Sequence, residues 1–194
     1  MPPKVKVTKE DIVSTALKLV KEGGAEALNA RNIASALNCS TQPIFSNFAT
    51  MDELQQAVFE AAYGIYLDFL NREVSKNEYP EYKALGMAYI HFAKEESMLF
   101  KLLFMRDRNG EEFVSTPDFE ASVKINMEKN RLSRERAERL HLEMWAYVHG
   151  IAVMLATSFF EPSEELISAM TSDVYMGVRA RHMEEEEKNG CNKA

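Results

Sequence analysis

A pair of short helices with one polar face is the sequence feature that most constrains this fold. The pair lies in residues 29–48, whose first half places Ile33, Ala34 and Leu37 on one apolar face. Asn29 precedes that face, and an Asn side chain in this position accepts a free backbone N–H of the first turn. The first half therefore predicts a two-turn helix that begins after Asn29.

A turn and a second helix follow in the same stretch. Asn38 comes after the last apolar residue, and Asn tolerates the left-handed backbone that ends many helices. Ser40 is positioned to cap the second helix, with Pro43 in its first turn. Ile44 and Phe48 are four residues apart and point inward together. The spacing predicts a helix-turn-helix, which places one helix in the major groove of DNA.

The residues left on the outer face of the second helix suit DNA. Gln and Asn pair with adenine through two hydrogen bonds, hydroxyls bond to bases or phosphates, and a Thr methyl group contacts a thymine methyl group. The alternative is a small helical hairpin that covers the core and is polar because it is exposed. The outward residues are Thr41, Gln42, Phe45, Ser46 and Asn47.

The flanking residues add two more helix starts. The sequence from Thr8 to Asp11 fits a capping box and opens a helix that Gly23 and Gly24 end. A second capping box begins at Thr50. The first fifty residues thus predict three short helices, and a long fourth helix begins near residue 51.

This arrangement resembles the tetracycline-repressor (TetR) family of bacterial regulators over about a quarter of the chain. A weaker resemblance, at Trp145, His149 and Gly150, is to the Trp-His-Gly type of C-terminal domain in that family. The resemblance implies an all-α dimer that binds a palindromic double-stranded DNA operator and senses a small molecule. The expected DNA contacts are the outward residues of the second helix together with Arg31 and Ser40. The matching positions are residues 8–22, Leu28, Arg31, Ile33, Ala34, Ser40, Ile44, Phe45, Phe48, Asp52, Glu53 and Leu54.

Three positions depart from the family pattern. Asn38 stands where the family usually has Gly, Phe45 where it often has Tyr, and Met51 where it usually has Lys. The last two changes remove a hydroxyl and an ammonium group that would contact phosphates. We therefore expect two fewer phosphate contacts than the family pattern provides.

Charge and composition agree with a cytoplasmic protein that does not bind nucleic acid over its whole surface. The net charge is −7, divided as +2 in residues 1–50 and −9 in the remainder. Hydrophobic residues make up 46% of the chain, enough for a core, but no apolar run approaches the ~20 residues that span a bilayer. The N-terminus has no apolar signal region, and Cys39 and Cys191 do not form a disulfide framework. We expect no membrane association.

The rest of the chain predicts helices with no alternating strand pattern. We expect a helical regulatory and dimerisation domain over residues 51–183 and a disordered acidic tail over 184–194, after an N-terminal domain of residues 1–50. Breaks are predicted at residues 77–80, 106–117 and 162–163. The fold class is therefore all-α, with a helix-turn-helix domain and a larger helical domain.

The last two long helices carry small or apolar residues at helical spacing. Such stripes allow close packing against a second copy as a four-helix contact, although they could equally cover the protomer's own core. The predicted dimer interface comprises Ala146, Gly150, Ile167, Met170, Val174 and Val178.

The central helices are rich in aromatic residues and Met, as ligand pockets are. Each single residue is more simply explained as core, but the cluster together with the family resemblance predicts a pocket for a small apolar or amphipathic ligand. The predicted pocket residues are Tyr63, Tyr66, His91, Phe104, Trp145 and His149.

No arrangement in the sequence predicts catalysis. His141, Trp145 and His149 share one helix face, but no further ligand completes a metal site. No glycine-rich phosphate loop and no nucleophile elbow occur. We expect neither an enzyme nor a cofactor or metal site. The predicted function is a ligand-responsive repressor released from its operator by a small molecule, and the alternative is a dimeric ligand-binding or protein-interaction module with weak or no DNA binding.

Overall fold

Helices provide all the regular secondary structure in residues 7–107 and 117–191, the part of the chain that this computed structural model describes. The predicted all-α class is confirmed. A 3-10 turn lies at Ala25–Ala27. The α-helices are α1 (Lys9–Gly23), α2 (Ala30–Ala36), α3 (Gln42–Asn47), α4 (Met51–Ser75), α5 (Glu81–Glu95), α6 (Ser97–Phe104), α7 (Pro117–Asn130), α8 (Arg134–Ala156) and α9 (Glu164–Cys191).

Side-chain caps fix the start of α1 as the sequence predicts. The Asp11 backbone N–H donates to Thr8 Oγ1 at 3.1 Å, and the Thr8 N–H donates to the Asp11 carboxylate at 3.0 Å. Gly24, with φ of 74°, ends the helix in a conformation that strains any residue with a Cβ. The predicted capping box and glycine stop are both confirmed.

The start of α4 is a variant of the predicted capping box. Thr50 Oγ1 accepts the Glu53 N–H at 3.1 Å, but the Glu53 carboxylate accepts the N–H of Ala49, at 2.6 Å, one residue before the expected donor. This hydrogen bond from Ala49, together with one from Lys9, holds the pKa of Glu53 below its ordinary value.

Packing divides the chain into two compact units, and the division does not fall at residue 50. The first unit comprises residues up to Phe69 together with residues 95–107. It includes α6 because that helix lies against α1, where Lys21 donates to Glu96 at 2.7 Å. Its core contains Ile12, Val20 and other fully buried aliphatic side chains.

The second unit comprises residues 70–94 and the chain after residue 107. Helices α7 and α9 both pack against α8. Its core includes Phe119, Val123, Leu140 and Met144, all buried.

Two helix ends differ from the prediction. Helix α8 ends at Ala156, before the break predicted at residues 162–163, because Ser158 has a left-handed φ of 52°. Helix α9 continues to Cys191, so the predicted disordered tail is helical over residues 184–191. Arg136 binds both Glu185 and Glu186, and these ion pairs hold the acidic end. Residues 192–194, and most of the loop predicted between α6 and α7, lie outside the described residues.

Among the residues described here, none of the helices combines the length and the apolar character needed to cross a membrane.

Candidate nucleic-acid interface

Helix α2 begins where its capping residue predicts. Asn29 has extended backbone, and its side-chain oxygen accepts the Asn32 N–H at 2.9 Å. Ile33 and Ala34 are buried, which sets the inward face. The opposite face leaves Arg31 exposed to solvent. The predicted cap of α2 is confirmed.

The turn after α2 is built around Asn38. This residue has φ of 50°, in the left-handed region. The Asn38 N–H donates to the Ser35 carbonyl at 3.1 Å, and the Cys39 N–H donates to the Ala34 carbonyl at 3.0 Å. These two bonds form a Schellman motif, which satisfies carbonyls at the end of a helix. Asn38 therefore fills the role predicted for it.

The start of α3 is not the predicted one. The residue before the helix is Thr41, and its side chain makes no capping hydrogen bond. Ser40, predicted as the cap, lies one residue too early, because Thr41 already has helical backbone with φ of −72°. Pro43 occupies the first turn, where its missing N–H has no partner to lose.

The outer surface of α3 presents three of the predicted residues to solvent. Gln42, Phe45 and Ser46 are exposed, and the large aromatic side chain of Phe45 is 47% accessible. The Ser46 hydroxyl donates to the Gln42 carbonyl at 2.9 Å, which leaves its oxygen available as an acceptor. Ser40 is also exposed, whereas Thr41 is half-buried.

Asn47 does not belong to this outward set. Its side-chain amide donates to the Pro43 carbonyl at 2.8 Å and to the Val7 carbonyl at 3.3 Å. The amide N–H groups that would read a base are thus used to tie the end of α3 to the chain entering α1. The prediction that Asn47 faces DNA is corrected to a role inside the fold.

The electrostatics of this surface are mild. Residues 25–50 contain one basic residue, Arg31, and one acidic residue, Glu26. On α1, Lys9 pairs with Glu53, at 3.3 Å. DNA affinity that depends on neutralised phosphates falls steeply with salt and grows with the number of cations. Residues 25–50 therefore offer a single cation, Arg31, for contacts of this kind.

Solved structures share this architecture. The crystal structure of the multidrug binding protein EbrR complexed with imidazole superposes with a TM-score of 0.60 and 17% sequence identity, covering 85% of this chain and 93% of that one. A member of the TetR family from Streptomyces coelicolor A3 superposes with a TM-score of 0.59 and 16% identity, covering 85% of this chain and 96% of that one. The fold is TetR-like. No protein-family model matches the sequence, and no curated protein matches it.

In this TetR-like fold, three of the predicted pocket residues lie together in the first unit. Tyr66 is buried, and its ring centroid lies 5.1 Å from that of Phe104 in an edge-on contact. The ring centroid of Tyr63 lies 5.7 Å from that of Tyr66. These rings form one aromatic cluster of α4 and α6. Its only polar groups among the three side chains are the two tyrosine hydroxyls.

The other three predicted pocket residues lie in the second unit. Trp145 and His149 stack on α8, with ring centroids 4.7 Å apart. The ring of His91 instead lies between two carboxylates, with Nε2 2.8 Å from Glu164 and Nδ1 3.5 Å from Glu73. The structure therefore places His91 in a cluster with Glu73 and Glu164.

Sequence reasoning missed two tyrosine–histidine pairs between α5 and α8. The Tyr89 hydroxyl lies 2.9 Å from His149 Nδ1, and the Tyr82 hydroxyl lies 3.0 Å from His141 Nδ1. Burial lowers the pKa of His141 to about 4 and raises the pKa of Tyr82. The sequence did carry a signal for these pairs, because the spacings match: the two tyrosines are seven residues apart on α5, and the two histidines are eight residues apart on α8. In the described ranges no group of three His, Cys, Asp or Glu residues could hold a metal ion.

The predicted dimer residues occupy different environments. Ala146 is exposed, and a Cβ added at Gly150 would meet open space, so both offer surface to another molecule. Ile167 is only 2% exposed, so its assignment to the interface is wrong; it belongs to the protomer core. Val174 and Val178 pack partly against the core cluster of the second unit.

Exposed apolar side chains that the sequence reasoning missed extend the available surface. Met170, from the predicted set, is half-buried. Leu142 on α8 and Leu166 and Met176 on α9 are exposed by 38%, 45% and 58%. Leu142 and Ala146 are four residues apart on α8, so they lie on the same face of that helix.

Proposed function

We propose that the protein is a dimeric transcriptional regulator that reads DNA with α3 and is released by a small molecule. The observation that carries the proposal is the α2–turn–α3 geometry, with Gln42 exposed at the N-terminal end of α3. In helix-turn-helix proteins this end of the second helix contacts base edges. The TetR-like fold, which the solved structures share over 85% of this chain, supports this interpretation.

The DNA partner is a palindromic duplex. A two-fold dimer presents two copies of α3, and these read two half-sites about one DNA turn, or a multiple of it, apart. The proposed contacts are Arg31, Ser40, Thr41, Gln42, Phe45 and Ser46, with Asn47 withdrawn because its amide N–H groups are already bonded.

The proposed mechanism of release is a population shift. A ligand that prefers the conformation with the lower DNA affinity weakens DNA binding. The loss of DNA-binding free energy is at most the difference between the ligand's binding free energies for the two conformations. The proposed ligand is a small apolar or amphipathic molecule, in keeping with the aromatic cluster of Tyr63, Tyr66 and Phe104 and with a structural neighbour described as multidrug binding. The proposed direction is repression, and the proposed location is the cytoplasm.

The decisive experiment is selection of an operator from random duplexes by the full-length protein. We expect a palindrome to be enriched. Binding to it should weaken less with salt than binding to random DNA, because base contacts contribute to the specific complex. Failure to enrich any sequence would overturn the proposal.

A second candidate function has its own observations. Phe45 exposes a hydrophobic ring on the outer face of α3, and Arg31 is the single cation of residues 25–50. These features suit a dimeric ligand-binding or protein-interaction module with weak or no DNA binding. A protein that dimerises and binds ligand, yet binds all duplexes equally weakly, would favour this function.

A further inference from the structure

A groove runs between α1 and α4 on the surface of the first unit. Its volume is about 620 Å³, and its lining is mostly apolar. Val13 and Leu17, one turn apart on α1, line one wall of the groove, and Ala57 on α4 lines the other. Phe48, the residue that ends α3, closes one part of the lining. None of the DNA contacts proposed above lines this groove.

The rim of the groove is acidic. The lining contains three carboxylates and one ammonium group, so its net charge is −2. The carboxylates belong to Glu10, Glu53 and Glu60, and the ammonium group belongs to Lys9. Glu53 is the carboxylate paired with Lys9. Within the described part of the chain, Glu10 and Glu60 form no ion pair; the Glu60 carboxylate accepts one hydrogen bond, from the Gln56 amide at 3.0 Å. Both negative charges are therefore available to a cationic partner.

The shape of the groove favours a helix over a small molecule. The α1 wall from Lys9 to Leu17 is about 12 Å long, the rise of two helical turns. Small-molecule sites bury most of their ligand's surface, whereas this groove is open along one side. An amphipathic helix needs only one face buried and leaves its polar face in water.

We propose that this groove is the docking surface for a short, basic, amphipathic helix of a partner protein. Leucine-like side chains of the partner contact Val13, Leu17 and Ala57. Lysine or arginine side chains along its edges pair with Glu10 and Glu60. The proposal concerns a second binding partner and does not depend on DNA binding or on the small-molecule pocket.

The position of Phe48 connects this surface to α3. The Phe48 N–H donates to the Ile44 carbonyl at 2.9 Å, and the Lys9 ammonium lies 4.8 Å from the centre of the Phe48 ring. The Lys9–Glu53 pair is about half exposed on both sides and is weakly held. A partner that displaces Lys9 therefore contacts the residue that anchors the end of α3.

The test uses the full chain and a synthetic probe peptide. The probe is a helix of about fourteen residues with leucine on one face and lysine on the other, compared with a scrambled peptide of the same composition. At low ionic strength, we expect the amphipathic peptide to bind at least about tenfold more tightly than the scrambled peptide. Titration into isotope-labelled protein should shift the backbone amide signals of Val13, Leu17 and Ala57 most.

Matched charge reversals on α4 provide the control. Glu60→Lys should weaken peptide binding roughly tenfold, because it places like charges together at the rim. Asp68→Lys makes the same charge change at an exposed position outside the groove and should leave the affinity unchanged. Equal effects of the two variants, equal affinity of the scrambled peptide, or shifts centred elsewhere would overturn the proposal. Concentration-dependent shifts of the groove amides without peptide would overturn it in favour of a second copy of this chain.

Discussion

The backbone N–H of Cys39 donates to the carbonyl of Ala34 at 3.0 Å across the left-handed residue Asn38. Together with the bond from the Asn38 N–H to the Ser35 carbonyl, it closes α2 before the chain turns toward α3. The orientation of α3, the proposed DNA-reading helix, therefore depends on Asn38, which makes no contact with DNA in the proposed complex.

Replacement of Asn38 tests this turn. We expect Asn38→Ala to lower the free energy of unfolding by about 1 kcal/mol. The Cβ of any residue other than glycine disfavours the left-handed region, and alanine lacks the short polar side chain with which asparagine offsets this cost. Asn38→Gly should be at least as stable as the wild type, since glycine adopts this conformation without strain. Urea unfolding of the two variants measures the difference. An alanine variant as stable as the glycine variant would contradict the left-handed turn.

Gln42 and Asn47 should behave differently although both are polar residues of α3. Gln42→Ala should weaken operator binding by ~1–3 kcal/mol and leave binding to random DNA almost unchanged. Asn47→Ala should instead lower the free energy of unfolding, by about 1 kcal/mol, because it removes the hydrogen bonds to Pro43 and Val7. Fluorescence anisotropy with both duplexes, combined with thermal unfolding, separates the two effects. Equal losses on both duplexes for Gln42→Ala would assign that residue to phosphate.

Restoring the family residues at two positions should strengthen DNA binding. Phe45→Tyr adds a hydroxyl donor to an exposed ring, and Met51→Lys adds a cation at the start of α4. The lysine variant should steepen the dependence of affinity on salt by about one counterion. Affinity measured across a salt series checks both. An unchanged slope and unchanged affinity would show that neither position lies near the DNA backbone.

The proposed dimer is best tested at exposed positions. We expect Ala146→Arg and Gly150→Arg to give monomers, because each places a charge on the proposed contact without filling protomer core. Ala121→Arg, an exposed alanine on α7, is the matched control and should remain dimeric. Val174→Glu is a poorer test because Val174 packs on the core of its own unit. Sedimentation at micromolar concentration measures the oligomeric state of each variant. A dimeric Ala146→Arg variant would show that the interface lies elsewhere on the protein.

His141 should make stability depend on pH. Its folded-state pKa, about 4, lies below the ordinary 6.5, so the unfolded chain takes up a proton more readily than the folded protein. Above pH 6.5 the ring is neutral in both states and contributes nothing; as the pH falls from 6.5 toward 4 the free energy of unfolding decreases. We expect a decrease of up to about 2 kcal/mol between pH 7 and pH 5 from this residue. His141→Gln should reduce the decrease by that amount in urea unfolding at the two pH values, and an unaltered decrease would show that another group titrates.

Local interactions explain what could be predicted from the sequence. Thr8, Asn29 and Asn38 act on backbone groups within a few residues of themselves, and their roles follow from residue type and spacing alone. The inward positions of Ile44 and Phe48 follow from helical periodicity in the same way. The fold class was therefore accessible, because it depends on many such local signals.

The errors arise where a residue's role is set by a distant part of the chain. Asn47 has the spacing of an outward residue, but a carbonyl forty residues earlier captures its amide. Ile167 lies on an apolar stripe of α9 that the protomer's own core buries. The pairing of Tyr82 with His141 depends on how α5 and α8 pack, which neither helix reveals by itself.

The acidic residues at the end of α9 form ion pairs with an arginine of α8, which their composition alone does not indicate. Arg136 is only 17% exposed, and its guanidinium is bound by Glu185 and Glu186. Removing the chain after residue 183 would leave that cation half-buried without a neutralising charge, a situation that proteins tolerate poorly. We therefore expect truncation after residue 183 to destabilise the end of α8 and α9, although the composition of the removed segment alone resembles a solubilising tail.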